Sequence, residues 1–153
     1  MGYAKKGAAA LAVAALLAGS PASATGNLET AEKLRRLDIM LMVTSLRCRF
    51  GADNFQADYD AFATHHLDAL NTAARDLTAE LGRRHGAAAA RRALDKMSTG
   101  IANGYGMGHP RLGCGDLKRT TQALTQVDDP AALAAAADQL IEVPQGSVLF
   151  ASR

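Results

Sequence analysis

Cysteine is scarce in this 153-residue chain, with Cys48 and Cys114 the only two. The absence of a C-x-x-C-H run excludes covalent attachment of a c-type haem, and two thiols this far apart do not form the C-x-x-C pair of a redox-exchange site. Walker A, H-E-x-x-H and G-x-S-x-G runs are also missing, which removes the signatures of P-loop nucleotide hydrolysis, zinc proteolysis and the serine nucleophile elbow. Gly104-x-Gly106-x-Gly108 fails the G-x-G-x-x-G spacing and follows a predicted helix rather than a strand, so it is no dinucleotide fingerprint. No cofactor and no metal site is therefore expected. Asp58 and Asp60 stand two residues apart and fall on different helix faces, so they do not form a carboxylate dyad by themselves.

An excess of one charge is lacking too. The chain carries 17 Lys+Arg against 15 Asp+Glu, and two of those lysines, Lys5 and Lys6, lie at the extreme N-terminus. They precede a thirteen-residue run of small and apolar residues, Gly7–Gly19, then Pro21 and Ala22-Ser23-Ala24. This is the order of a secretory signal peptide: a basic start, a short apolar stretch and a small-residue cleavage site. The run falls short of the roughly 18 residues that span a bilayer, so no membrane anchor is expected after cleavage. Removal of residues 1–24 leaves 15 positive and 15 negative residues in the mature chain. A balance of that kind gives no electrostatic case for nucleic acid or for an anionic membrane surface.

What remains is one domain, 25–146, with a short tail at 147–153. A periplasmic or secreted location is oxidising, which favours a Cys48–Cys114 disulfide over two free buried thiols. No stretch alternates with period two, and no internal repeat is found, so the expected fold is all-α, a bundle of four to five helices.

The stretch Leu34–Phe50 is the predicted organiser. Leu34, Leu37, Leu41 and Cys48 keep a helical spacing, and Ile39, Met40, Met42, Val43 and Leu46 widen the apolar arc until it calls for several neighbours. Gly51 ends that helix, and Asp53-Asn54-Phe55-Gln56 reads as a capping-box start for the next, with the acid accepting from the amide three residues on. Phe55, Tyr59, Phe62, His66, Leu70, Ala73 or Ala74, Leu77 and Leu81 then follow at steps of four and three, predicting one long helix to about Arg84. Gly86 terminates it, behind Arg83, Arg84 and His85, which suit the negative end of the macrodipole. A third helix is expected from Ala87 to about Asn103, a short one from Asp116 to about Gln126, and a last one capped by Asp129 with Pro130 as its first residue.

Between the third and fourth helices lies Gly100–Gly115, in which seven of sixteen residues are glycine or proline. Of the four histidines, His66 belongs to an apolar stripe and reads as a core residue, while His85 is explained by its helix end. His65 sits near Asp68, three residues on, a pair that reads as a polar contact at the surface rather than a metal site. His109 lies within the glycine-rich segment, in Tyr105-Gly106-Met107-Gly108-His109-Pro110. Two accounts of that segment stand side by side: glycines making turns around a loop that Pro110 and the disulfide stiffen, or a binding loop using Tyr105, Met107 and His109.

Leu37–Arg49, the Asp53-Asn54-Phe55-Gln56 start and the Gly108-His109-Pro110-Arg111-Leu112-Gly113-Cys114 loop together resemble a family of small exported bacterial proteins with one disulfide and no established activity. Some similar chains carry the name S-adenosyl-L-homocysteine hydrolase. That name implies a large, cytoplasmic, NAD-dependent Rossmann enzyme, from which this chain departs in length, in lacking the glycine fingerprint and in its export signal. At the level of architecture the chain also resembles envelope stress chaperones and immunity proteins.

The function expected from the sequence is a non-enzymatic binding module whose partner is an envelope protein or a small molecule. It would use the Gly100–Gly115 loop and the His65/Asp68 surface. The alternatives are a small hydrolase or lyase using His109 as acid-base beside Tyr105 or Asp116, and a small-ligand carrier with a cavity between helices.

Overall fold

The computed structural model describes residues 21–141, with side chains from residue 26 onward. The expected signal peptide up to Ser20 and the tail from Ser147 lie outside the described residues. Within them the chain is entirely helical and irregular, with no strand. The six helices are α1 (Pro21–Arg47), α2 (Gln56–His65), α3 (Leu67–His85), α4 (Ala87–Tyr105), α5 (Cys114–Leu124) and α6 (Pro130–Leu140).

α1 is the axis of the bundle and packs against all five other helices. Its sequence explains this. Ala31, Leu34, Leu37, Ile39, Met40, Leu41, Thr44, Ser45 and Cys48 are all buried, an arc too wide for a helix lying on a surface. Burying one such leucine is worth about 1.5–3 kcal/mol, and here the apolar arc is shared among several partners. Two buried hydroxyls bond back along the helix, Thr44 Oγ1 donating to Met40 O and Ser45 Oγ to Met42 O, so neither demands a distant acceptor.

Several of α1's charged side chains are paired, the buried Arg36 among them. Arg36 donates to Glu32 at 2.8 Å, Arg35 reaches Ser98 of α4, and Lys33 bridges Glu29 and Asp138 of α6. Asp38 accepts from the Tyr59 hydroxyl at 3.0 Å and so ties α1 to α2. Burial pushes the Asp38 carboxyl above the usual aspartate range, against the lowering effect of that hydrogen bond and of Arg35.

Gly51, at φ +128°, ends the segment after α1 in a conformation that side chains rarely adopt. The start of α2 departs from expectation. Asn54, not Asp53, supplies the side-chain acceptor, its Oδ1 taking the Gln56 amide two residues on. Asp53 instead lies against the first turn of α5, close enough that a Cβ on Gly115 would meet its carboxylate at 3.3 Å. A negative charge is favourable there, at the positive end of the helix dipole.

The long helix expected from Phe55 to Arg84 is two helices. His66, at φ −96° and ψ 13°, leaves the α region, although its amide still donates to Phe62 O and its carbonyl still accepts from Leu70 N. The cause is tertiary. His66 is buried, packs on Phe62, and donates Nε2–H to the carbonyl of Leu124, the last residue of α5. That carbonyl also accepts from the Val127 amide at 3.1 Å, so the ring gives it a second donor and ties the junction of α2 and α3 to the end of α5. The core assignment of His66 therefore holds, and the extra break accounts for six helices where five were counted.

Gly86, at φ +83°, is the single residue between α3 and α4 and folds one helix back on the other. Asp129 caps α6 as expected, its Oδ2 accepting from Ala132 N at 2.8 Å, with Pro130 the first helical residue.

Candidate functional site

The glycine-rich segment is shorter than its composition implies. Gly100 and Gly104 belong to α4, which runs on to Tyr105, and α5 begins at Cys114, leaving residues 106–113 as the loop. Both ends of this loop are pinned. Cys114 is bonded to Cys48 just past the end of α1, with the two Cα atoms 5.7 Å apart, an ordinary spacing for a disulfide.

On the other side, His109 fastens the loop to α6. Its Nδ1 accepts from the amides of Arg111 and Leu112, at 3.2 and 3.1 Å. Accepting at Nδ1 places the ring proton on Nε2, which donates at 2.8 Å to the carbonyl of Leu140, the last residue of α6. Both ring nitrogens are thus committed to backbone. His109 and His66 perform the same task at two places, each closing the terminal carbonyl of a helix distant in sequence.

Tyr105 is buried and stacks on the His109 ring, centroids 6.0 Å apart. Gly108, at φ +107°, makes the turn that reverses the loop, and the Arg47 side chain lies so close that a Cβ there would meet Nε at 3.1 Å. Asp116 is occupied in its own helix, accepting from Gly113 N through Oδ2 and pairing with Arg119 at 2.8 Å through Oδ1. The three residues of the acid-base alternative thus have structural tasks: Tyr105 fills the core, His109 braces the loop, and Asp116 closes a helix start.

Met107 is the side chain this bracing puts on display, 82% exposed. At the same end of the molecule, Phe50 just past α1 is 81% exposed, and Met42 and Leu46 on the last turns of α1 are open to solvent as well. Arg49 lies over the Phe50 ring at 4.4 Å while donating to Leu46 O, and Arg47 reaches Gly108. Exposed apolar side chains and the guanidinium groups of Arg47 and Arg49 thus lie where the end of α1 meets the loop 106–113, a loop held by a covalent bond and three hydrogen bonds.

His65 and Asp68 lie elsewhere, at a cleft of about 670 Å³ between the N-terminal half of α1 and α3. Its floor is apolar, with Ala31, Leu34, Ala69 and Ala73, and its walls carry Thr72, Asp76 and Asp128. His65 does not pair with Asp68. It pairs with Asp128, in the connection between α5 and α6, at 2.9 Å. Among the described residues no group of three or more His, Cys, Asp or Glu side chains could hold a metal ion. Sequence reasoning found His65 and Asp68 but missed Asp76 and Asp128. The available signal was the spacing Asp68, Thr72, Asp76, one row along a helix face.

No protein-family model matches the chain, and neither a curated protein nor a solved structure is similar to it.

Proposed function

We propose that this protein is an exported, non-enzymatic binding module whose disulfide-braced end docks an apolar, acid-flanked segment of an envelope protein. The observation that carries the reading is the exposure of Met107 and Phe50 on a part of the chain built to hold still. Methionine adapts its shape to an apolar partner, and a loop already ordered loses little entropy on binding. Arg47 and Arg49 at the border favour acidic residues flanking the apolar anchor. In this reading Tyr105 and His109 position Met107 without touching the partner. The disulfide supports residence in an oxidising compartment, and no described helix is long and apolar enough to cross a membrane.

Two measurements test it. Mass spectrometry of the exported protein is expected to find an N-terminus at Thr25 and a mass lower than that of the dithiol by two hydrogen atoms. Affinity capture from envelope extract is expected to retain a partner on the oxidised protein and to lose it on a Phe50→Ser, Met107→Ser variant. Equal capture by both proteins would remove the docking surface from consideration.

A further inference from the structure

The cleft between α1 and α3 holds a buried ring with one nitrogen unused. His66 lines the cleft and is only 4% exposed. A carbonyl can only accept, so the 3.0 Å bond from His66 Nε2 to Leu124 O puts the ring proton on Nε2. In the neutral ring Nδ1 is then an acceptor, and among the described residues no group donates to it. No side-chain nitrogen or oxygen sealed inside the described residues lacks a partner, so this nitrogen is not sealed: it opens on the cleft that its ring lines.

Ala69 and Ala73, three and seven residues after His66, continue the same face of α3, and Ala31 and Leu34 of α1 complete an apolar floor. The Nδ1 lone pair stands at the head of that floor. Beside it the His65 ring, pinned by Asp128 at 2.9 Å, is nearly perpendicular to the His66 ring, with centroids 4.8 Å apart. Charge at the rim is mixed, since Asp68 and Asp76 flank Thr72, to which Arg75 donates at 2.8 Å. The ring nitrogen, and not rim charge, therefore sets what the cleft accepts. Its volume of about 670 Å³ is that of a small-molecule site, and one directed polar group over an apolar floor is the usual make-up of such sites.

We infer that the α1–α3 cleft binds a small planar aromatic molecule carrying one N–H or O–H donor, which bonds to His66 Nδ1 while its ring lies over Ala31, Leu34, Ala69 and Ala73. Three of those four floor residues are alanine, whose single methyl groups leave a smooth bed for a flat ring, and the two imidazoles give it an aromatic end wall. A molecule without a donor displaces water from Nδ1 and puts nothing in its place, a cost that offsets its apolar contacts. This site goes beyond the docking reading and shares no residue with it.

Indole and 1-methylindole test the inference, because methylation removes the donor and makes the molecule more apolar. Isothermal titration of the oxidised protein at about pH 8 is expected to show indole binding at least about fivefold tighter, the factor that an average hydrogen bond supplies. Apolar burial by itself predicts the opposite order. His66 stays in place throughout, since it also holds Leu124 O. In nitrogen NMR spectra of the histidine rings, indole is expected to move the His66 Nδ1 resonance to lower frequency, and 1-methylindole to leave it where it is. Ala69→Leu, which fills the floor, is expected to remove indole binding while the His66 resonances of the free protein stay those of wild type. Undetectable indole binding, equal or tighter binding of 1-methylindole, or an Nδ1 resonance unmoved at saturation would each overturn the inference. Undiminished binding of indole to the Ala69→Leu variant would put the molecule elsewhere and overturn it as well.

Discussion

Replacing Cys48 and Cys114 together by alanine removes a bond that closes a loop with a sequence separation of 66 residues. In the chain-entropy picture a closed loop of that length restricts the unfolded state by about 4 kcal/mol at 25 °C. The total stability of a domain this size is about 5–15 kcal/mol, so the substitution consumes a large share of it. With an unfolding entropy near 2.1 cal/mol/K per residue over roughly 120 residues, 4 kcal/mol corresponds to a fall in Tm of about 16 °C. Urea unfolding followed by far-UV circular dichroism measures the quantity directly, comparing oxidised wild type with the double-alanine variant. The midpoint should drop sharply, and the m-value should rise, because an uncrosslinked unfolded chain exposes more surface. A stability difference below about 1 kcal/mol with an unchanged m-value would refute the reasoning, for it would mean that the unfolded chain is already held compact without the bond. Amide exchange adds a local reading. The loop 106–113 should lose protection in the variant more than the centre of α1, since Cys114 anchors one end of that loop.

His109→Ala removes the single acceptor shared by two loop amides and the donor to Leu140, and should destabilise the domain by about 2 kcal/mol, with faster amide exchange at Arg111 and Leu112; unchanged exchange there would show that the loop holds itself. Asp38→Asn tests the effect of burial on that carboxyl. Its pKa is raised in the folded state, so its contribution to stability is full below the unfolded value of about 3.9 and is lost as pH rises through the folded value. The asparagine variant, which can still accept from Tyr59, should therefore gain on wild type between about pH 4 and neutrality in urea titrations. A variant that loses ground over that interval would contradict the assignment.

Much of the fold was legible because it is written in neighbours three and four residues apart. The wide apolar arc of α1 announced a central helix, and the structure packs five helices around it. Gly51 and Gly86 marked chain reversals that their positive φ angles explain, and Asp129-Pro130 marked the start of α6 through a capping bond that spans three residues. The disulfide followed from having two cysteines, a compartment argument and no competing pairing.

The site was legible only in part. Glycine content overstated the loop, because Gly100 and Gly104 sit in α4, where burial of Ile101 and Tyr105 outweighs the helix cost of about 1 kcal/mol per glycine. The break at His66 had no proline or glycine to signal it. Its cause, the carbonyl of Leu124, is 58 residues away.

By itself, then, the sequence determined that the chain is helical, most of the faces it buries and which two residues are bonded, since periodicity, caps and cysteine number act locally or by simple count. The tertiary structure alone decided what the histidines do and where the acids gather. His66 and His109 found their acceptors at the ends of α5 and α6, His65 met Asp128 across 63 residues, and α1 came to lie beside the Asp68–Asp76 row. Those partners are set by how helices pack against one another, and packing depends on the whole set of apolar faces at once.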